Sequence, residues 1–319
     1  MPAVLGVDLG ATNLRVALGD ETGLVARASE PVPPTGEILA ARVAEIAREL
    51  AAARHAAAGE PIVAAGVGVP GIPDGDGFAG LIAGAAGLNG APLRRLLADA
   101  LGAPVAIDND VNLAALAESR ARGLDDLAFI AVGTGVGMGI VSGGRLIRGA
   151  HGAAGELGQL PVGEHVVAPP DALGPLEAIA GGAGLAARAG TTSAREVFDA
   201  GPYAQLDDQA RVLASAIRAV HALLDPELIV LGGGIGCRAD VADRVAAALA
   251  AHGTPPPRVE RSRLGEDAGL LALLEQLDGA EEAEVVRSAL AAGVPRERVL
   301  DELQREVERR LLRVRTPDD

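Results

Sequence analysis

The most constraining feature of this chain is a pattern that occurs twice: an apolar run, a glycine-rich turn and a second apolar run. The first copy turns at residues 9–13 and the second at residues 133–137, roughly 125 residues further on. A single unit of this kind is usually an ordinary hairpin, so the signal lies in the repetition. The simplest interpretation is an internal duplication, with one copy in each of two domains.

Apolar runs and turn residues divide the chain into alternating strand and helix patterns, which are typical of an α/β protein. We predict a small N-terminal α/β domain at 1–112 and a larger C-terminal α/β domain at 113–265. A helix at 266–277 is expected to pack back on the small domain, and the charged, periodic tail at 278–319 predicts a helical extension. The individual predictions are strands at 3–8, 14–18, 24–28, 62–69, 105–108, 127–132, 138–141, 145–147 and 228–231, and helices at 37–57, 92–101, 110 onward, 176–188, 209–224, 241–252 and 267–276.

Composition argues against several classes of function. The net charge of -15 repels nucleic acid and anionic membranes, and no apolar segment supplies the roughly 20 residues of a spanning helix. All 28 residues counted as Lys plus Arg are arginines, so the lysine of a Walker A loop is missing. With one cysteine, Cys237, and no leader pattern before the first strand, we expect a cytoplasmic protein without internal disulfides.

The two glycine turns suit a polyphosphate. Without side chains, the backbone N–H groups of a turn can approach an anion closely, and Thr12 or Thr134 can add a hydroxyl donor. Asp8, at the end of the first strand, stands where a Mg2+ ion and its waters would be needed. The alternatives are that each turn is only a hairpin and that Asp8 only caps the local backbone.

Residues 107–112 join a strand to a helix and carry acidic groups at the carboxyl end of the strand, the usual edge for an active site in an α/β sheet. Asp110 could orient a hydroxyl and accept its proton during phosphoryl transfer. The alternative is that Asp108 or Asp110 caps the helix that follows. The two roles could also be divided between the two aspartates.

Two further segments have motif-like sequences. The polar, glycine-rich segment 151–159 suits a binding loop, with Glu156 able to accept hydrogen bonds from neighbouring hydroxyls, but it could equally be a surface loop. Residues 66–71 fit the dinucleotide fingerprint G-x-G-x-x-G. That fingerprint requires a helix immediately afterwards, and a turn-rich loop follows here, so a Rossmann site is rejected.

In this order, these segments resemble the ROK family, a bacterial group of sugar kinases, repressors and uncharacterised open reading frames. The resemblance extends from about residue 4 to residue 274. Residues 8–13 match the family's first phosphate motif, residues 133–137 match its second, and residues 225–226 with 232–235 match its adenosine-side motif. Residues 109–110 match the catalytic Asn-Asp pair, and residues 155–158 match the signature loop. Residues 176–177 with 181–182 resemble the segment that carries a second sugar-binding Glu.

The resemblance implies a two-domain actin-like (RNase H-like) fold with the active site in the interdomain cleft, and ATP- and Mg2+-dependent phosphorylation of a hexose. It makes Asp110 the general base for the sugar 6-hydroxyl, lets Asp8 hold Mg2+ through water, and suggests a homodimer. The implied sugar-binding residues are Asn109, Asp110, Glu156, Gln159 and Glu177. The implied ATP- and phosphate-binding residues are Asp8, Gly10, Thr12, Asn13, Gly133, Thr134, Gly135, Gly137, Gly233 and Gly234.

Three positions depart from the family pattern. Gln159 stands where the family has a His that binds both zinc and sugar, and residues 166–175 lack the family's three cysteines, so no structural zinc is expected. Gly87 stands where the family usually has a sugar-binding Asn, for which Asn89 could compensate. These departures leave open a kinase of a modified sugar or a non-catalytic sugar or nucleotide sensor. A ROK-type transcriptional regulator is disfavoured, because the first phosphate motif leaves no room for a preceding helix-turn-helix and the chain is acidic.

Overall fold

The structure is a computed structural model that describes residues 3–10, 12–20, 23–53, 62–79, 87–162, 174–201, 204–265 and 268–269. The chain divides into two compact units. The first comprises the described residues up to Leu113 and those after Asp267, and the second runs from Ala114 to Glu266. Residues 268–269 are helical, and the rest of the helices predicted at 266–277 and 278–319 lies outside the described residues.

The first unit is built on a five-stranded sheet of order β3-β2-β1-β4-β7. Strands β1, β2 and β3 form an antiparallel meander, whereas β1, β4 and β7 run parallel. Its elements are β1 (Ala3–Leu9), β2 (Asn13–Asp20), β3 (Gly23–Pro31), α1 (Gly36–Ala53), β4 (Ile62–Val69), a small hairpin of β5 (Ile72–Pro73) and β6 (Phe78–Ala79), α2 (Leu93–Leu101), β7 (Val105–Asn109) and the beginning of α3 (Asp110–Arg122).

Small aliphatic side chains form the core of this unit. Along β1, Leu5, Val7 and Leu9 alternate and join one apolar cluster, which also contains Leu39 and Val43 of α1. All seven residues of β1 are buried, as expected for a central strand with neighbours on both sides. The only aromatic side chain in the cluster's buried set is one phenylalanine, so the described core is as aromatic-poor as the composition predicts.

The second unit contains a sheet of order β10-β9-β8-β11-β12, which repeats the first sheet position by position. The predicted duplication therefore extends beyond the glycine turns to all five strands. Its elements are the rest of α3, β8 (Leu127–Val132), β9 (Val136–Ser142), β10 (Arg145–Leu146), α4 (Glu177–Ala180), α5 (Gly182–Ala189), α6 (Ala194–Asp199), α7 (Ala204–Leu224), β11 (Leu228–Gly232), α8 (Gly233–Gly236), α9 (Ala239–Ala250) and β12 (Val259–Arg261).

Several predicted boundaries were wrong. The helix predicted at 176–188 is split into α4 and α5 at Gly181, whose backbone is extended. The first turn of α5 then donates hydrogen bonds to the turn that precedes β9. Helix α7 begins at Ala204 rather than at residue 209, and α6 and β12 were not predicted at all. These two elements are too short to show a hydrophobic period.

Among the described residues, no helix is both long enough and apolar enough to cross a membrane. The 21-residue helix α7 has sufficient length, but it carries four charged residues, Asp207, Asp208, Arg211 and Arg218.

Candidate active site

The first glycine turn connects β1 to β2 and is closed by backbone hydrogen bonds. Gly10 N–H donates to the carbonyl of Asn13 at 2.9 Å, and Val32 N–H donates to the carbonyl of Thr12 at 3.1 Å. Thr12 and Asn13 are exposed, and Asn13 is the first residue of β2. The turn therefore presents a hydroxyl and an amide side chain to solvent. Ala11 lies outside the described residues.

Asp8 lies at the end of β1 and is 8% exposed. Arg15 stands opposite it on β2, and the Arg15 Nη1 atom donates to Asp8 Oδ2 at 2.9 Å. This ion pair fixes the carboxylate in place and also offsets part of its negative charge. A magnesium ion usually takes only one or two carboxylates and completes its shell with water and phosphate, so a single fixed carboxylate such as Asp8, beside the first glycine turn, fits the predicted water-mediated role.

The carboxyl ends of three parallel strands bring acidic residues to one edge of the first sheet. Asp8 of β1 is in register with Gly68 of β4, and Gly68 is in register with Asp108 of β7. Two strand spacings separate the backbones of Asp8 and Asp108 by roughly 10 Å. A Cβ atom at Gly68 would lie 3.5 Å from the Cα of Asp110. The start of α3 thus packs closely against this row.

The capping residue of α3 is Asn109, which corrects the alternative that gave this role to Asp108 or Asp110. Asn109 Oδ1 accepts the N–H groups of Val111 and Asn112, each at 3.0 Å, which is the geometry of an N-cap. Asn109 Nδ2 donates to the Gly71 carbonyl at 2.9 Å. One hydrogen of the Asn109 amide is not accounted for by these contacts, so the side chain can cap the helix and still donate to a ligand.

Asp110 is the first residue of α3 and is half-buried. Its Oδ1 atom accepts the N–H of Val111 at 2.8 Å. A carboxylate in the first turn of a helix is favoured by the positive end of the helix dipole and is held in a defined orientation by such a bond. The geometry is therefore that of a fixed carboxylate at the sheet edge, next to the capping amide.

The second glycine turn is held by helix α5. The N–H groups of Gly182 and Ala183 donate to the carbonyls of Gly133 and Thr134 at 2.8 and 3.0 Å. Within the part of the chain that the structure describes, the N–H groups of Thr134 and Gly135 have no hydrogen-bond partner. Two unpartnered N–H groups in a turn form a site that suits an anion.

This turn is shorter than the predicted 133–137, because β9 begins at Val136. Gly137 lies in β9 and pairs with Ala131 of β8, so its N–H and carbonyl groups belong to the sheet rather than to the turn.

Glu177 connects the second turn to the predicted sugar-binding residues. It is the first residue of α4, and its Oε1 atom accepts the N–H of Val136 at 3.1 Å. A Cβ atom at Gly135 would lie 2.0 Å from that same oxygen. Gly135 therefore makes room for the Glu177 carboxylate, a structural role that the sequence did not reveal.

Glu156 follows a backbone turn that only glycine can make comfortably. Gly155 has a φ of 98°, and a Cβ atom there would lie 1.9 Å from the carbonyl oxygen of Met138. Desolvation by the surrounding protein raises the pKa of Glu156, and the negative charge of Glu177 raises it further, although Glu156 remains exposed. The two predicted sugar-binding glutamates are thus close enough to interact.

Gln159 ends the short 3-10 helix Leu157–Gln159 that follows Glu156, and it is exposed. Its N–H donates to the carbonyl of Glu156 at 3.1 Å. Residues 163–173, which include most of the segment where the family's zinc-binding cysteines are missing, lie outside the described residues.

The predicted adenosine-side glycines lie where β11 ends and α8 begins. Gly233 has a φ of 76°, and a Cβ atom there would lie 2.6 Å from the Val132 carbonyl. Gly234 and Ile235 line a cavity of about 390 Å³. The remaining lining residues are Ala194, Arg195, Phe198, Asp199 and Arg238. Sequence reasoning missed these residues because it did not predict α6, which carries four of them.

A family model adds evidence of a different kind to this geometry: the model of the ROK family matches residues 4–274. The chain belongs to the ROK family. Its mixed α/β fold is the actin-like fold of the ROK sugar kinases whose structures it resembles.

Named relatives of this ROK protein include a bifunctional enzyme, a glucokinase and N-acetylmannosamine kinases. It is 40% identical over 198 residues to the bifunctional enzyme NanE/NanK of Brucella suis biovar 1 (strain 1330), a match that covers 58% of this chain and 37% of that relative. The chain thus spans well under half the length of this bifunctional enzyme. It is 33% identical over 293 residues to the N-acetylmannosamine kinase of Salmonella typhi, which covers 86% of this chain and 98% of the relative.

Two solved structures show the same fold. The ROK hexokinase from Thermus thermophilus has a TM-score of 0.69 at 33% identity, with 86% of this chain and 97% of that chain covered. The ROK family glucokinase from Streptomyces griseus, solved in complex with glucose and AMPPNP, has a TM-score of 0.65 at 26% identity, with 86% and 98% covered.

Proposed function

We propose that this chain is a sugar kinase that transfers the γ-phosphoryl group of Mg-ATP to the 6-hydroxyl of a hexose. The observation that supports this most directly is Asp110, a carboxylate fixed at the N-terminus of α3 and at the same sheet edge as Asp8. Membership of the ROK family, and the named sugar kinases among the relatives, support the reaction class. The glucokinase solved with AMPPNP supports ATP as the donor.

In this proposal the sugar is positioned by carboxylates and amides. Glu156 and Glu177 accept hydrogen bonds from ring hydroxyls, while Asn109 donates its remaining amide hydrogen and Gln159 adds a neutral polar contact. Asp110 accepts the hydrogen of the 6-hydroxyl and orients its oxygen for in-line attack. The attacking oxygen forms a bond to the γ-phosphorus, the bond from that phosphorus to the bridging oxygen of ADP breaks, and the proton passes to Asp110.

The phosphates are held by backbone groups rather than by a lysine. We propose that the N–H groups of Thr134 and Gly135 bind phosphate oxygens from one turn. From the other turn the Thr12 hydroxyl and the Asn13 amide do so, while Gly10, whose own N–H bonds to Asn13, leaves room for the phosphate because it has no side chain. Asp8 would hold Mg2+ through water, and the ion would neutralise charge on the phosphates. Gly137 supports this turn from within β9, and Gly233 with Gly234 shape the adenosine side.

The test is a coupled ADP-release assay with Mg-ATP and a panel of glucose, mannose, fructose, N-acetylglucosamine and N-acetylmannosamine. Turnover on at least one sugar is expected, and Asp110→Asn should reduce kcat by about 100- to 10,000-fold, the usual contribution of a general base. Asp126→Asn, a change at a half-buried aspartate that accepts hydrogen bonds from the Ser142 hydroxyl and the Gly143 N–H, serves as the matched aspartate control. Near wild-type turnover in Asp110→Asn would refute the assignment of the base.

A specific observation favours a second candidate, a kinase of a modified sugar. A Cβ atom at Gly87 would lie 2.2 Å from the carbonyl oxygen of Pro34, so an asparagine does not fit there without movement of the backbone. Loss of one hydrogen bond to the sugar changes preference among sugars by about 1–3 kcal/mol without removing the chemistry. Turnover confined to an N-acetylated sugar would favour this candidate, and ATP binding without turnover on any sugar would favour a sensor.

We expect the protein to be a homodimer, as the family resemblance implies. Light scattering after size-exclusion chromatography would test this: a mass of one chain at micromolar concentration would contradict it.

A further inference from the structure

The cavity beside α8 has a planar cation at its wall. The guanidinium carbon of Arg238 lies 4.1 Å from the centroid of the Phe198 ring, which is a cation–π stacking distance. Both residues line the cavity, together with Gly234 and Ile235. Since Phe198 covers one face of the guanidinium, the opposite face is the one on which a ligand could stack.

One edge of this guanidinium, formed by Nε and Nη2, is already occupied. Arg238 Nε and Nη2 donate to the two carboxylate oxygens of Asp240 at 2.9 and 3.0 Å, a bidentate pair. Hydrogen bonding from Arg238 lowers the pKa of Asp240 more than any other contact of that carboxylate does, so the pair stays ionised at neutral pH. With its charge offset by Asp240 and two of its five N–H donors engaged, the guanidinium is held in one plane and offers a flat surface.

The surroundings of Arg238 hold that surface in place before any ligand arrives. Its backbone N–H donates to the Ile235 carbonyl at 3.0 Å, directly after α8. The Phe198 ring packs against the apolar cores of the second unit, so the support beneath the guanidinium is itself fixed. A guanidinium that is already ordered loses little conformational freedom when a ligand stacks on it.

We infer that Arg238 is the stacking platform for the base of the nucleotide that donates the phosphoryl group. This inference rests on the proposed function, because it takes Gly233 and Gly234 as the adenosine side of a nucleotide site. The cavity of about 390 Å³ is within the size range of small-molecule sites, and the glycine turn at its wall lets a ligand approach the backbone. Stacking recognises the flat face that all nucleobases share, so the site binds ATP and GTP through Arg238 to a similar extent.

The test measures the affinity of the full chain for Mg-ATP, Mg-GTP and magnesium tripolyphosphate by isothermal titration calorimetry. Arg238→Ala and Arg238→Lys should each weaken the binding of both nucleotides by about 5- to 150-fold, the range expected when a base loses its stacking partner. Tripolyphosphate has no base, so its affinity should not change. Arg244→Ala, which removes a half-buried arginine of α9 that pairs with Asp207, should bind all three like the wild type.

Tripolyphosphate binding also shows that each variant is folded. Asp240→Asn provides a second, milder perturbation, because it loosens the guanidinium without removing it, and a loss of about 2- to 5-fold for ATP is expected. Arg238→Lys with wild-type affinity would overturn the inference, since it would mean that charge rather than the planar face matters. Equal weakening of ATP and tripolyphosphate would also overturn it, because it would place Arg238 on the phosphates.

The two proposals fail separately. If the wild type binds nucleotide with this dependence on Arg238 but phosphorylates no sugar, the proposed function fails and the stacking platform stands. If it phosphorylates a sugar and Arg238→Ala leaves its ATP affinity unchanged, only the stacking platform fails. A wild type that binds no Mg-ATP would overturn both.

Discussion

Removal of the carboxylate of Glu118 should loosen the segment that follows β12. Glu118 lies on α3 and is fully buried. Its Oε1 atom accepts the hydroxyl of Ser262 and the N–H groups of Arg263 and Leu264, the latter two at 2.8 and 3.0 Å. Its Oε2 atom pairs with Arg122 Nε at 2.9 Å. One buried carboxylate thus satisfies four donors, three of which are about 145 residues away in sequence.

The expected magnitude follows from what each substitution leaves behind. Glu118→Ala strands the buried donors and leaves Arg122, whose side chain is 2% exposed, with only the partly exposed Glu260 as a carboxylate partner among the described residues. Breaking such a buried pair from one side lowers the free energy of unfolding by about 3–5 kcal/mol. Glu118→Gln keeps one oxygen acceptor but turns an amide donor toward Arg122, for which about 1–3 kcal/mol is expected.

Urea denaturation of the wild type and both variants measures these losses. Hydrogen exchange localises them, since the amides of Arg263 and Leu264 should lose protection in both variants. Glu49→Gln is a matched control at an exposed ion pair with Arg42 and should change stability by no more than about 0.5 kcal/mol. The reasoning would be refuted if Glu118→Ala destabilised the protein by less than about 1 kcal/mol, or if the two amides kept their protection.

Two further predictions concern the second turn and the glutamates. Gly135→Ala should displace the Glu177 carboxylate, leave the Val136 N–H unpaired and destabilise the protein by about 1–2 kcal/mol in urea, whereas Gly133→Ala, which has no atom within 4 Å of the new Cβ, should not destabilise it. Equal effects of the two changes would contradict the contact. Sugar affinity should fall as the pH is lowered, and the midpoint of this fall should lie above the usual pKa range of a glutamate, because the pKa of Glu156 is raised. In Glu177→Gln the neighbouring negative charge is lost, so the pKa of Glu156 falls and the midpoint moves to lower pH. A midpoint that did not move would show that the ionisation of Glu156 does not determine the pH dependence of sugar affinity.

The parts of the fold that the sequence predicted are those specified by local patterns. The two glycine turns interrupt apolar runs, and strands β1 and β8 were recognised from those runs alone. The beginning of α3 was recognised because polar residues at 109–110 follow a buried strand. The fold class could therefore be predicted without coordinates, whereas the site residues and their chemical roles, which the family resemblance supplied, stay predictions.

The remaining features depend on contacts between residues that are far apart in sequence. No local pattern indicates that Glu118 contacts residues 262–264, or that Phe198 supports Arg238. The contact of Asp8 with Arg15 spans only seven residues, yet it requires the register of β1 and β2 to be known. The choice of Asn109 over its acidic neighbours as the helix cap was equally hidden, since asparagine and aspartate cap helices about equally well.

The attachment of the second turn to α5 has an electronic consequence. The carbonyl of Gly133 and the N–H of Thr134 belong to one peptide group, and the carbonyl of Thr134 and the N–H of Gly135 belong to the next. In both groups the carbonyl accepts a hydrogen bond from the first turn of α5, while the N–H bonds to none of the described residues. A peptide group polarised at its oxygen becomes a stronger donor at its nitrogen. The partial positive charge at the N-terminus of α5 thus polarises two peptide groups of the turn. Their N–H groups bind an anion more strongly than they would without the hydrogen bonds to α5.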